Sequence, residues 1–248
     1  MNYSLLRYPG GKSRSIKELE KYIPKNTKEI LSPFFGGGSF ELYLATKNIK
    51  INAYDNFYPL VCFWNSVLWF KNDLIKIIQN YYPLSKESFY ELQNNIDNID
   101  NQVELGAIFY VLNRSSFSGT GLSGGMSPNH PRFTKSSIER IRNFDTSFDI
   151  EYLSFEKSIL KHDCLIYADP PYLINQQLYG NKGNMHRKFD HKLLSNILNN
   201  RGNFILSYNN CEQVRDMYYL HNFVYPEWKY GMGNNKKSNE ILIISKDI

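Results

Sequence analysis

Apolar positions along the chain fall into two kinds of run. Short apolar stretches bounded by Gly, Pro, Asn or Asp read as strands: Glu29 to Phe35, Ile51 to Tyr54, Asp149 to Phe155, Cys164 to Ala168, Asn203 to Tyr208 and Glu240 to Ser245. Longer stretches with apolar residues three and four apart read as helices. They are Ile16 to Ile23, started by Ser13 or Ser15 and closed by Pro24; a helix through Phe40, Leu42 and Leu44; Leu60 to Tyr82, closed by Pro83; a helix through Phe89 and Leu92, capped by Ser85; Val103 to Leu112; Ile138 to Phe144; and His191 to Asn199. Ser136 with Glu139 fits a capping box for the helix that ends at Phe144. Strands that alternate with helices predict a largely parallel α/β sheet covered on both faces, with its functional edge at the carboxyl ends of the strands. The segment 57–144 lacks strand alternation and reads as a mostly helical insertion.

Three of those strand ends carry chemistry. The first strand runs into Gly36, Gly37 and Gly38 and then a helix, the opening of a nucleotide-binding sheet. The second ends in Asp55, 17 to 19 residues after the glycines, where an acidic side chain is placed to take ribose hydroxyls. The strand Cys164 to Ala168 runs into Asp169, Pro170, Pro171 and Tyr172. Two prolines give no N–H to a ladder and fix their own φ, so the strand stops there and the turn is stiff. The exocyclic amine of adenine or cytosine has its lone pair delocalised into the ring, and becomes a nucleophile only when its N–H bonds point at acceptors. Asp169 and the Pro170 carbonyl supply the acceptors, and Tyr172 supplies a stacking face.

Two loops extend that picture. Tyr8-Pro9-Gly10-Gly11-Lys12 combines exposed backbone N–H groups with a fixed positive charge, which suits an anionic group such as a carboxylate. Asn113, Arg114 and Phe117 open a glycine-rich stretch that closes with His130, Arg132 and Phe133, and its interleaved polar and aromatic side chains suit phosphates and base edges.

Composition narrows the partners. The chain has 248 residues, enough for a full core, and a net charge of +5 with pI near 8.9. Basic residues gather along Arg7 to Glu29, Arg132 to Arg142, Lys182 to Lys192 and Lys229 to Lys237, the last with Lys236 and Lys237 on a loop. The acidic stretch Lys86 to Glu104 faces away from any polyanion. Cys62, Cys164 and Cys211 are odd in number and widely spaced, which argues for a reducing compartment, no disulfide frame and no zinc site. Neither a signal-peptide core nor an apolar run near the ~18 residues of a spanning helix is present, so a soluble, intracellular protein is expected.

The order of these motifs, Tyr8-Pro-Gly-Gly-Lys12, then Pro33-Phe-Phe-Gly-Gly-Gly38, Asp55, Asn113-Arg114, Asp169-Pro-Pro-Tyr172 and Asn239-Glu240, resembles the Dam-like DNA adenine methyltransferases, the D12 class or alpha group, over nearly the whole chain. The resemblance implies a Rossmann-like, S-adenosylmethionine-dependent methyltransferase sheet, with residues 1–56 and 145–248 forming the catalytic domain and 57–144 an inserted, mostly helical target-recognition domain. It implies S-adenosylmethionine as methyl donor, held by Tyr8, Gly10, Gly11, Lys12, Phe34, Phe35, Gly36, Gly38, Asp55 and Asp169, with no metal. Asp169, Pro170 and Tyr172 would act on an adenine flipped out of double-stranded DNA, and methyl transfer would be a direct in-line displacement. Asn113, Arg114, Phe117, Arg132, Lys236 and Lys237 would contact the DNA. The chain departs from the family in carrying Ser32 where many relatives have an acid, and in lacking the arginine and Phe-Asn-x-Pro segment of GATC-specific relatives. Transfer to a cytosine amine or to RNA, and a non-catalytic DNA-binding module, are the competing readings. A cognate restriction endonuclease, a phage or virus origin and a housekeeping role all fit the sequence.

Overall fold

A computed structural model describes residues 3–127, 132–173, 189–226 and 239–248. Lys236, Lys237, His130 and nearly all of the loop after Tyr172 lie outside the described residues. The strands are β1 (Glu29–Ser32), β2 (Lys50–Asp55), β3 (Asp149–Tyr152), β4 (Leu165–Ala168), β5 (Phe204–Asn209), β6 (Asn222–Val224) and β7 (Glu240–Ile244). They form one sheet in the order β3-β2-β1-β4-β5-β7-β6. Neighbours from β3 to β5 run parallel, and β7 is antiparallel to both β5 and β6. The chain leaves β1 toward β2 on one side and later continues from β4 on the other, so β1 and β4 flank the point where strand order reverses. Ligands of open α/β sheets bind outside the strand ends at such a point.

The helices are α1 (Ile16–Leu19), α2 (Ser39–Ala45), α3 (Tyr58–Trp69), α4 (Lys71–Asn80), α5 (Lys86–Asn95), α6 (Gln102–Ser115), α7 (Lys135–Arg142), α8 (Phe155–Ile159), α9 (His191–Arg201) and α10 (Glu212–Met217). Strand residues alternate between two apolar cores, as period-two geometry requires. Ile30, Ile51, Ala53, Leu165, Tyr167, Ile205 and Leu242 face one core, built with residues of α1 to α4, α6 and α7. Leu31, Ile166, Ala168, Leu206, Ile241 and Ile243 face the other, with α8, α9 and α10. The helices between β2 and β3 therefore share a continuous core with one face of the sheet. Trp64 of α3 is fully buried in that core, and its indole N–H donates to the Gly36 carbonyl at 3.0 Å. Removing such a side chain from water contributes about 1.5–3 kcal/mol.

Local rules explain most boundaries, and the differences have local causes. β1 stops at Ser32 because Pro33 cannot donate to a ladder. β3 ends at Tyr152 rather than Phe155, because Phe155 already begins α8. α6 runs on to Ser115, so Asn113 and Arg114 sit on its last turn rather than beyond it. The helix expected over Ile138 to Phe144 starts at Lys135, and its capping box is Thr134 with Ser137, not Ser136 with Glu139. The Ser137 N–H donates to Thr134 Oγ1 at 3.2 Å and the Thr134 N–H donates to Ser137 Oγ at 3.0 Å, while Glu139 pairs with Arg142. A hydroxyl at the third position closes the box in place of the carboxylate or amide that usually does so. α8, α10 and β6 are too short for the sequence pattern to show, and the single helix expected over Leu60 to Tyr82 is broken at Phe70 into α3 and α4.

α3 and α6 are in backbone contact at Gly106, where an added Cβ would stand 2.8 Å from the Cα and N of Phe63. Alanine usually stabilises a helix interior by about 1 kcal/mol over glycine, but overpacking against backbone costs about 1–3 kcal/mol. Gly106→Ala is therefore expected to lower the urea midpoint, through a net loss of stability of up to ~2 kcal/mol. A midpoint that rises would show that the helices are not held this close.

Candidate active site

Parallel register places the loops after β2, β1 and β4 side by side on one edge, in that order. The loop after β1 is shaped by its glycines. Gly36 and Gly38 have positive φ of 50° and 61°, and a Cβ on Gly38 would meet the Phe35 ring at 2.3 Å. The Tyr8 side chain lies over this loop, since a Cβ at Gly36 would approach its ring to 2.8 Å and one at Gly37 would approach its Cβ to 2.9 Å. Asp55, at the end of β2, clasps the loop from the other side: Oδ2 accepts the Gly36 N–H at 2.8 Å and Oδ1 accepts the Phe57 N–H at 2.9 Å. Burial pushes the Asp55 carboxyl up to about 6, against those backbone donors. Each oxygen keeps a second lone pair for a ligand hydroxyl.

Beside it, the turn after β4 meets the N-terminal loop. Lys12 Nζ donates to both oxygens of Asp169 at 2.8 and 2.7 Å, to the Gly10 carbonyl at 3.0 Å and to the Tyr172 hydroxyl at 3.1 Å. The Lys12 side chain is buried, whereas 22% of the Asp169 side chain remains accessible. Burial alone lowers the lysine, but Asp169, Glu240 and Glu41 outweigh it and hold the ammonium protonated above its ordinary range. Burial pushes the Asp169 carboxyl up, and Lys12 acts against that. Glu240 Oε1 stands 3.9 Å from Lys12 Nζ at the start of β7. Tyr172 stacks on Tyr208 of β5, with ring centroids 5.8 Å apart, and its hydroxyl lies 3.3 Å from Ser207 Oγ. Asn209 pins the next residue by two bonds to the Leu173 backbone, at 2.8 and 3.0 Å.

A cleft of about 370 Å³ runs across these loops, in the size class of small-molecule and cofactor sites. Its walls include every residue that the sequence pointed to for a cofactor: Tyr8, Gly10, Gly11, Lys12, Phe34, Phe35, Gly36, Gly38, Asp55 and Asp169. Of the residues expected to act on a base, Asp169 lines the cleft, Pro170 is buried, and Tyr172 is half-buried against Lys12 and Tyr208. Sequence reasoning did not find Glu41, Phe155, Glu156 and Phe189, which also line it. Phe34, Phe155 and Phe189 form a ring cluster with centroids 5.4 to 5.6 Å apart. Beside it, Glu156 Oε2 is buried with no hydrogen-bond partner among the described residues. An apolar aromatic cluster, an orphaned acceptor and the ribose-ready Asp55 fit an adenosine group.

Of the residues expected on DNA, the four that are described, Asn113, Arg114, Phe117 and Arg132, do not line the cleft. Asn113 is buried and clamps the N-terminal segment: its Oδ1 accepts the Arg7 N–H at 3.0 Å, and its Nδ2 donates to the carbonyls of Arg7 at 2.7 Å and Gly119 at 2.9 Å. Arg114 is also buried and donates twice to the Arg132 carbonyl, at 3.1 and 2.8 Å. Phe117, 62% exposed, and Arg132, exposed, present their side chains to solvent.

Comparison with known proteins agrees with this geometry. The family profile of the D12 class N6 adenine-specific DNA methyltransferases matches residues 8–232. The chain is similar to the Type II methyltransferase M.CviBI of Paramecium bursaria Chlorella virus NC1A, with 21% identity over 257 aligned residues, covering 96% of this chain and 95% of that protein. It is also similar to the Type II methyltransferase M.MjaIII of Methanocaldococcus jannaschii, with 24% identity over 199 residues, covering 67% and 68%.

Glu41 gives the site a pH signature. Burial raises its carboxyl from 4.5 to about 7, so the folded chain holds a proton there that the unfolded chain has released. Stability therefore falls as pH rises from about 4.5 to 7 and stays reduced above that. Without ligand, Glu41→Gln is expected to match the wild-type chain near pH 4.5 and exceed it at pH 8 by roughly 2–3 kcal/mol. Parallel melting curves for the two proteins across that range would refute the assignment.

Proposed function

The chain belongs to the D12 class of N6 adenine-specific DNA methyltransferases, and we propose that Asp169 is the group that readies the target amine for transfer. It is a site-specific DNA methyltransferase acting on adenine. The observation that carries the residue-level reading is the contact of Lys12 with Asp169 at one end of a cleft whose other loops suit an adenosine group. S-adenosylmethionine, the donor that the family implies, supplies a methyl group on a positively charged sulfur. Asp55 would take its ribose hydroxyls, Phe34 and Phe155 would flank its base, and Tyr8 with Gly10, Gly11, Phe35, Gly36 and Gly38 would shape the floor.

Lys12 holds the Asp169 carboxyl in place and favours its ionised form against burial, and the carboxylate retains a lone pair for an amine N–H. With the Pro170 carbonyl as second acceptor, the amine lone pair is freed from the ring to form the new C–N bond as the methyl–sulfur bond breaks, its electron pair left on a neutral thioether. Positive charge then develops beside Asp169, where an oriented carboxylate stabilises it most, and the proton the amine sheds has an acceptor there. Tyr172, braced by Tyr208, borders the space for the extruded base.

Residues 57–144 are proposed as the part that reads the DNA. Phe117 and Arg132 would touch it, Asn113 and Arg114 would hold the loop that carries them, and Lys236 and Lys237 would meet phosphates. The Type II names of the relatives support a cognate restriction endonuclease as partner, and a DNA substrate supports an intracellular location. Among the described residues no helix is long and apolar enough to cross a membrane.

Transfer of labelled methyl from S-adenosylmethionine to mixed-sequence duplex DNA, followed by digestion to nucleosides, is expected to yield N6-methyladenine. Asp169→Ala is expected to reduce the rate by at least about 10²–10³-fold. Label in cytosine, or full activity in the variant, would overturn this reading.

A further inference from the structure

Around the transfer end of the cleft, the described residues place one ammonium among three carboxylates. Lys12 is committed to Asp169 through both carboxylate oxygens, while Glu240 lies 3.9 Å from the same ammonium and Glu41 interacts electrostatically with both members of the pair. Among the described residues no ion pair is made by Glu41, so its buried carboxyl is costly to ionise on its own, and a cationic ligand would stabilise it as a carboxylate.

Glu41 is the group best placed to receive it. It lines the cleft from the first turn of α2, is 4% exposed, and accepts the Ser32 hydroxyl at 2.8 Å, which fixes one oxygen and leaves lone pairs on both. Ser32 is the last residue of β1, so the carboxylate stands at the mouth of the central strand although it is supplied by the next helix. Strand order gives the ligand its direction. Phe155 and Asp55 follow β3 and β2, Asp169 follows β4, and three strand spacings separate β3 from β4, about 14 Å. An adenosine group held at the aromatic end therefore extends its tail toward Asp169 and Glu41.

We propose that Glu41 binds the α-ammonium of the cofactor's amino-acid tail, a role that Ser32 positions it for. This rests on reading the cleft as the S-adenosylmethionine site. An ammonium offers N–H donors to a carboxylate and a sulfonium offers none, so the tail nitrogen rather than the sulfur is the partner. Glu41 is thereby a specificity-determining residue: it distinguishes amino-acid-bearing adenosyl thioethers from those that lack the tail.

The test is calorimetric titration of the full chain and of Glu41→Gln with three ligands: S-adenosylmethionine, S-adenosylhomocysteine, which keeps the ammonium on a neutral sulfur, and 5′-methylthioadenosine, which lacks the tail. Loss of one charge-assisted hydrogen bond is expected to weaken the first two by about ten- to a hundredfold and to leave the third unchanged. The double variant Ser32→Asp with Glu41→Gln, which returns a carboxylate to the same place from the strand, is expected to regain part of the loss. Equal weakening of all three ligands, no weakening of any, or weakening of S-adenosylmethionine alone would overturn the proposal. A wild-type chain that binds none of the three would overturn the cofactor-site reading along with it.

Discussion

The contact on which the active edge depends is the ion pair of Lys12 with Asp169. A lysine this buried can stay charged only with a carboxylate against it, and that carboxylate comes from a residue 157 positions away. The pair therefore ties the N-terminal loop to the turn after β4. Removing Asp169 takes the main partner from a buried ammonium, a cost of up to about 3–5 kcal/mol. The same contact sets the chemistry, because the ammonium that neutralises Asp169 also keeps it an acceptor. Tyr172 and Gly10 also accept from that ammonium, so one side chain joins the turn to the N-terminal loop at several points.

Around this pair the fold supplies placement rather than reactivity. β1 lies between β2 and β4, so the glycine loop stands between Asp55 and Asp169. Trp64 fastens that loop from the helical layer by an indole hydrogen bond, and Asp55 fastens it from β2. The helical layer is thus coupled to the cleft through packing: α3 touches the loop directly, and α6 touches α3 at Gly106 with no side chain between. The last turn of α6 carries Asn113, whose amide spans Arg7 and Gly119. One polar side chain therefore links the segment leading to Tyr8 with the loop that presents Phe117.

Asn113 and Arg114 show how a functional pattern in sequence becomes an architectural one in space. Their polar groups are spent on backbone atoms of Arg7, Gly119 and Arg132, and both side chains are buried. Any role they have toward DNA acts through the loop they hold. Capping of α7 carries a smaller lesson, since Thr134, Ser136 and Ser137 all bear hydroxyls and only the backbone path selects the pair that closes the box.

The sequence by itself determined the order of the longer strands and helices, the glycine turn, Asp55 at the end of β2 and the Asp169 to Tyr172 turn after β4. Those features are written locally, in apolar periodicity and in the backbone preferences of Gly and Pro, and parallel register then brings the strand ends to one edge. Only the tertiary structure decided that Glu41, Glu156, Phe155 and Phe189 face the cleft, that Glu240 stands beside Lys12, and that Asn209 pins the turn. An acid in the first turn of a short helix, or an asparagine at a strand end, has the same local pattern whether it faces solvent or a site. What separates the two is the contact across distant segments, set by how the two cores pack against the sheet.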